Sequence, residues 1–256
     1  MKGWNFKYLE DYITPAELPP IISALKSQQF RWTKGGAETA KKNLKTLFMS
    51  KLPMPVKLHG AFHLIYSFGF ISIITYSLLT VPLLFVKESY PQYHLLFKIS
   101  DFIGVSFLIY ALHYLISYFN NTEGSNLKKL NGFIFHFPLF ISLFIGLSLN
   151  NAIGIIQGYF GVKSGFVRTP KFNTLTTVNV MKSKYVEPKI NWQTLIEGLL
   201  IFYFLFGIIE ALYFRNFGSL PLLIMAFTGF FMLFYLSLDE QKKGHRSSLP
   251  SQEISS

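Results

Sequence analysis

The feature that most constrains this chain is a run of apolar residues that is too long for a soluble domain. Residues 61–86, "AFHLIYSFGFISIITYSLLTVPLLFV", contain no Lys, Arg, Asp or Glu. A helix needs roughly 18 to 20 such residues to cross the hydrocarbon core of a bilayer. In the whole chain 50% of the residues are hydrophobic and 14% are charged. The sequence therefore predicts a membrane protein.

Further apolar segments follow the first. The predicted set is Leu58–Val86, Phe102–Phe119, Gly132–Leu149, Leu195–Tyr213 and Leu220–Leu238. Each is long enough, or nearly so, to span a membrane. The helical pattern of the third continues into the more polar "NNAIGIIQGYF", which we expect at the interface. The predicted fold class is mainly α, a multi-pass transmembrane helical bundle with amphipathic interfacial helices.

The distribution of basic residues leaves the topology open. If the basic N-terminal portion is cytoplasmic, three crossings place the equally basic "VKSGFVRTPK" on the outside, against the positive-inside tendency. Either one apolar segment is re-entrant or merely interfacial, or one run contains two crossings. Both arrangements agree with the sequence.

The N-terminal region predicts a short strand at 5–14, a proline-rich turn, and a helix over Ile21–Lys34. A second helix is predicted over 37–52, where Leu47 and Phe48 oppose Lys41 and its basic neighbours. Such a helix either lies among lipid head groups or is an ordinary amphipathic surface helix.

Charge and composition narrow the ligands. The net charge is +11, and the basic residues mainly flank the apolar runs. We therefore expect membrane lipids and phosphate-bearing ligands, and no nucleic acid. The chain has no cysteine, which excludes disulfides and thiolate metal sites. His59 and His63, four residues apart, are the nearest approach to a metal pair, but interfacial packing is preferred and no metal ligand is predicted.

Two acidic residues, Glu197 and Glu210, lie within the fourth apolar run. Glu197 belongs to the fourth segment, and carboxylates inside a membrane are costly and often functional. Glu197 either lines a polymer path, pairs with a basic group on another helix, or lies near the interface within reach of water.

Gln28, Arg31 and Trp32 form a polar and aromatic constellation at positions i, i+3 and i+4, so a helix presents them on one face. A guanidinium suits a diphosphate, an amide can bond phosphate or hydroxyl groups, and an indole is a flat platform for a sugar ring. The alternative is membrane anchoring, with tryptophan in the aromatic belt and arginine reaching toward head groups.

Two motifs resemble those of the membrane-embedded family 2 glycosyltransferases, which include cellulose, hyaluronan and mannan synthases. "QQFRW" at 28–32 matches their Q-x-x-R-W motif, and "KGWNFKYLEDYITPAELP" resembles the strand and turn before it. "FVRTPK" at 166–171 resembles the F-x-V-T-x-K gating loop of cellulose synthase, with Arg168 in place of valine.

The resemblance implies transfer of a sugar from a nucleotide-diphosphate donor to a polysaccharide or lipid acceptor in the plasma or inner membrane of the cell. It places Trp32 under the acceptor sugar and Gln28 and Arg31 near the donor diphosphate. The gating-like loop adds Thr169 and Lys171, with Arg168, as further donor-binding residues. No residue of this chain is expected to be the catalytic base.

The acidic motifs of such enzymes are not found in this sequence. Family members carry an Asp-x-Asp that holds a divalent metal and a Thr-Glu-Asp that supplies the base, and neither occurs here. We therefore expect Mg²⁺ or Mn²⁺ only in a complete enzyme that includes an N-terminal catalytic half, and an incomplete chain that is inactive alone. The alternative is a non-catalytic multi-pass protein, either a small transporter or an accessory subunit.

The expected organisation has five parts. Residues 1–58 hold a remnant of the catalytic domain and interfacial helices with the Q-x-x-R-W motif, and 59–160 hold transmembrane helices and an interfacial helix. Residues 161–190 form the gating-like loop, 191–238 form further transmembrane helices, and 239–256 form a disordered tail.

Overall fold

The computed structural model of the chain is mainly helical. It describes residues 7–9, 12, 19, 21–100, 102–163 and 191–248, and none of these lies in a strand. The mainly α fold class is thus confirmed. Of the strand predicted at 5–14, the described positions 7–9 and 12 have no regular structure, and the other positions lie outside the described residues.

The described residues form eight α-helices, joined in places by short 3₁₀ turns. They are α1 (Ile22–Met49), α2 (Met54–Ile65), α3 (Gly69–Ser89), α4 (His94–Ser100), α5 (Phe102–Asn121), α6 (Asn126–Phe160), α7 (Trp192–Tyr213) and α8 (Leu220–Ser248). Four stretches are long and apolar enough to cross a membrane, namely Met54–Ser89, Asn126–Phe160, Trp192–Tyr213 and Phe217–Lys243. The chain is a multi-pass membrane protein.

The two helices predicted on either side of Gly35 and Gly36 are one continuous helix, α1, and that prediction was wrong. Each glycine inside a helix costs about 1 kcal/mol relative to alanine, which predicts a break. Packing offsets this cost, because a Cβ on Gly36 would lie 3.0 Å from the Ser67 hydroxyl oxygen. Because Gly36 has no side chain, the fully buried Ser67 packs directly against the helix backbone.

The first predicted apolar run lies within the candidate span Met54–Ser89 and contains a turn. α2 ends at Ile65, a 3₁₀ turn covers Tyr66–Phe68, and α3 begins at Gly69. By contrast, α6 runs unbroken from Asn126 to Phe160. This confirms that the helical pattern of the third apolar segment continues through the polar residues after Leu149.

The chain divides into two compact units. The first comprises Met1–Ser72, Ser148–Asn191 and Tyr235–Ser256, and the second comprises Ile73–Leu147 and Trp192–Phe234. In the first unit, α6 contributes a G-x-x-x-G pair, Gly154 and Gly158, that faces α1. A Cβ on Gly154 would lie 2.9 Å from the Phe30 carbonyl oxygen, and one on Gly158 would overlap the Lys34 carbonyl oxygen. The two helix backbones are therefore in direct contact, as small residues allow in membranes.

In the second unit α3 contains a proline, and a neighbouring helix supplies the hydrogen-bond donor that the proline lacks. Pro82 has no N–H, so the carbonyl of Leu78, four residues earlier, loses its normal helical donor. The Tyr203 hydroxyl of α7 donates to that carbonyl at 2.5 Å. Backbone groups in hydrocarbon need such internal partners. Glu197, also in α7, is fully buried.

The backbone contact between α1 and α6 predicts the effect of added methyl groups. Gly158→Ala forces the Lys34 carbonyl and Ala37, whose Cβ would be 3.1 Å away, to move, and should destabilise the fold by about 1–3 kcal/mol. Gly35→Ala in α1 meets nothing within 4 Å and should be neutral or stabilise by up to about 1 kcal/mol. Unfolding of both variants in detergent checks this, and equal stabilities would contradict the contact.

Candidate functional site

The start of α1 is fixed by a side chain from α8. The Glu240 carboxylate accepts hydrogen bonds from the backbone N–H groups of Ile22 and, at 3.2 Å, of Ser23. These are two of the four N–H groups that a helix start leaves without an internal partner. A carboxylate here also interacts favourably with the positive end of the helix dipole. Glu240 therefore acts as the cap of α1, which has no side-chain cap from Ile21.

Polar contacts behind α1 extend this attachment over the next turn. The ammonium group of Lys26 donates to the Ser237 hydroxyl at 2.9 Å, and both residues are buried. The Asn150 amide of α6 donates to the Lys26 carbonyl at 3.0 Å and to the Asn151 side-chain oxygen at 3.1 Å. Buried polar groups need such partners, so these bonds set the rotation of α1 about its axis.

That rotation decides where the predicted site residues lie. At about 100° per residue, Gln28, Arg31 and Trp32 fall within an arc of about 100°. The centre of this arc is about 160° from the buried positions Lys26 and Thr33. We call the surface of Gln28, Arg31 and Trp32 the motif face. It is thus the side of α1 that faces away from α6.

Exposure differs among the three side chains of the motif face. Trp32 is 59% exposed, whereas Gln28 and Arg31 are partly buried. The Nε atom of Arg31 is shielded from solvent. The helix thus holds a half-shielded guanidinium beside an open indole face, a combination that suits an anionic group next to a sugar ring.

Three lysines cap helix ends, a role that the sequence prediction missed. Each ammonium group donates to a carbonyl in the last turn of a helix, where cations are favourable. The bonds run from Lys41 to Tyr159 of α6 at 2.7 Å, from Lys57 to Phe48 of α1 at 2.9 Å, and from Lys129 to Phe119 of α5 at 2.8 Å. Lys41 belongs to the basic face predicted for this part of α1, and it remains exposed while bonded to α6.

The other predicted donor-binding residues, Arg168, Thr169 and Lys171, lie outside the described residues. Their distance from the motif face is therefore a prediction only. Within the described ranges, no cluster of three or more His, Asp or Glu side chains is arranged to hold a metal ion.

Sequence reasoning missed Glu240, Lys26, Ser237 and Asn150 because their roles depend on distant partners. Glu240 contacts a residue 218 positions earlier, and Asn150 contacts one 124 positions earlier. One signal was present in the sequence: Gly154 and Gly158 have the spacing by which membrane helices approach closely.

Comparison with known proteins finds partial similarity to plant mannosyltransferases. The chain is 36% identical over 80 residues to glucomannan 4-beta-mannosyltransferase 7 of Arabidopsis thaliana, covering 31% of this chain and 14% of that protein. It is 37% identical over 71 residues to probable glucomannan 4-beta-mannosyltransferase 2 of Oryza sativa subsp. japonica, covering 28% of this chain and 12% of that protein.

These matches confirm the predicted resemblance to the C-terminal membrane portion of family 2 glycosyltransferases. Because they span 12% to 14% of the relatives' own lengths, they concern a part of each protein. No family model matches the chain, and no solved structure matches it.

The cap of α1 predicts a stability difference between two adjacent acidic residues. Glu240→Ala removes the acceptor of the Ile22 and Ser23 N–H groups and should cost about 1–2 kcal/mol, with faster amide exchange in the first turn of α1. Asp239→Ala is the matched control, since it removes only a surface ion pair with Lys243. Equal exchange in both variants would show that Glu240 does not hold α1.

Proposed function

We propose that this chain is the membrane-embedded portion of a glycosyltransferase that transfers a sugar from a nucleotide-diphosphate donor to a glycan or lipid acceptor. The observation that carries the proposal is the motif face of α1, directed away from α6 with Trp32 exposed. The partial similarity to mannosyltransferases supports the same reaction class.

In this proposal the motif face joins the two substrates. The Trp32 indole supports the acceptor sugar by stacking, and the Gln28 amide and Arg31 guanidinium bind the donor diphosphate. The leaving diphosphate gains negative charge as the sugar departs, and a fixed guanidinium stabilises that charge. Arg168, Thr169 and Lys171 are proposed to close over the diphosphate and add further positive charge.

The motif face needs carboxylates to complete the chemistry. A general base must take the proton of the acceptor hydroxyl, and Mg²⁺ or Mn²⁺ needs acidic oxygen ligands. The 256 residues contain neither Asp-x-Asp nor Thr-Glu-Asp. We propose that another stretch of polypeptide supplies these groups at the plasma or inner membrane, and that the chain by itself is inactive.

A non-catalytic role, as an accessory subunit or a small transporter, is the second candidate. The non-catalytic role is favoured by the absence of both acidic motifs from these 256 residues. The two candidates differ in whether the motif face contributes to sugar transfer.

The proposal predicts that the chain alone has no transferase activity. Purified in proteoliposomes and supplied with GDP-mannose, UDP-glucose and Mg²⁺ or Mn²⁺, it should transfer no sugar, since the metal-binding and base motifs are lacking. Addition of the catalytic portion of a mannosyltransferase relative should give measurable incorporation of labelled sugar. Turnover by the chain alone would contradict the need for a second stretch of polypeptide.

Substitutions on α1 test whether the motif face contributes to sugar transfer more than a neighbouring position does. In the complemented assay, Arg31→Ala should reduce transfer by about a hundredfold or more, because the diphosphate loses a charged donor. Trp32→Ala and Gln28→Ala should also reduce it. Gln29→Ala is the matched control, since Gln29 lies about 100° around the helix from Gln28.

Membrane insertion must be measured for every variant. Retained insertion with lost transfer supports a role in substrate binding. Loss of insertion in Arg31→Ala or Trp32→Ala would favour membrane anchoring by these residues, and equal effects of Gln28→Ala and Gln29→Ala would argue against a specific face.

A further inference from the structure

Two histidines of α2 lie in direct contact. The Nε2 atoms of His59 and His63 are 3.2 Å apart, and the ring centroids are separated by 4.6 Å with the planes at 81°. Both side chains are exposed, and no residue of α2 is buried. A spacing of four residues places the two rings on one face of the helix.

The distance between the two Nε2 atoms matches that of two imidazole nitrogens bound to the same metal ion. At a metal–nitrogen distance of about 2.05 Å, two imidazoles bound at a tetrahedral angle have nitrogens about 3.3 Å apart. At a right angle, as in square-planar coordination, the separation is about 2.9 Å. The observed 3.2 Å lies between these values, so the separation of the two Nε2 atoms fits an ion bound to both, in place of the hydrogen bond that the rings make when one Nε2 carries a proton.

The position of α2 relative to the bilayer makes the pair accessible to aqueous ions. The candidate span Met54–Ser89 has 36 residues, about 54 Å of helix, against a hydrocarbon core of about 30 Å. α3 alone has 21 residues and reaches about 31 Å, so it is long enough to cross without α2. Pro53 precedes α2, and the charged Lys57 lies in its first turn, so the N-terminal end of α2 is its more polar end. A crossing made by α3 alone would leave the histidine pair at the water–lipid interface.

We propose that His59 and His63 form a binding site for a borderline divalent transition metal such as Cu²⁺, Ni²⁺ or Zn²⁺. Two imidazoles fill two coordination positions, and the remaining positions take water or a phosphate oxygen. Binding requires each Nε2 to be unprotonated, so both neutral rings carry their proton on Nδ1. The proposal does not depend on glycosyl transfer.

The test uses the untagged full chain in detergent, titrated with CuCl₂, NiCl₂ and ZnCl₂ by calorimetry. One ion per chain is expected, with Cu²⁺ bound most tightly. The electron paramagnetic resonance spectrum of the Cu²⁺ complex should show two imidazole nitrogens. His59→Asn or His63→Asn should weaken binding by about tenfold or more and leave at most one nitrogen signal.

Two controls test the geometry. His113→Asn removes a histidine that has no other histidine within four positions, and should leave the affinity unchanged. The double variant His63→Asn, Leu64→His keeps the number of histidines but moves one ring by about 100° around α2, and should bind as weakly as His63→Asn. Circular dichroism verifies that each variant is folded. Undiminished affinity in His63→Asn or in the double variant would overturn the proposal.

Discussion

Direct contact between two helix backbones determines which surface of α1 is open to a ligand. Gly154 and Gly158 of α6 leave room for the carbonyls of Phe30 and Lys34, so α1 has little freedom to turn. Any rotation would push side chains into backbone. The outward direction of the Q-x-x-R-W residues is thus a consequence of two missing side chains on a different helix, together with the polar bonds behind α1, and not of a preference of the motif residues themselves.

The sequence predicted the elements that depend on local pattern. Four of the five predicted apolar runs overlap the candidate membrane spans, and the continuing period identified the extension of α6 beyond Leu149. Local pattern failed at Gly35 and Gly36, where the cost of glycine predicted an end to the helix but burial of Ser67 decided otherwise. Composition also does not predict the 3₁₀ turn at Tyr66–Phe68 within the first apolar run.

Of the candidate site, only the motif face could be predicted from the sequence. Gln28, Arg31 and Trp32 follow from helical spacing, and their chemistry follows from their side chains. The supporting residues could not be identified, since Glu240 and Asn150 act across more than a hundred positions of the chain. The net charge was also an incomplete guide. Lys41, Lys57 and Lys129 neutralise helix ends, so part of the positive charge is structural rather than available to phosphate or lipid.

The cap of α1 by Glu240 has a consequence for biogenesis. The two partners are 218 positions apart, and a ribosome adds about 5–20 residues per second, so roughly 10 to 40 s separate their synthesis. Until α8 emerges and inserts, the first turn of α1 must use other acceptors for its N–H groups. The helix bearing the Q-x-x-R-W residues therefore reaches its final form late, after the apolar helices between α1 and α8 have been made.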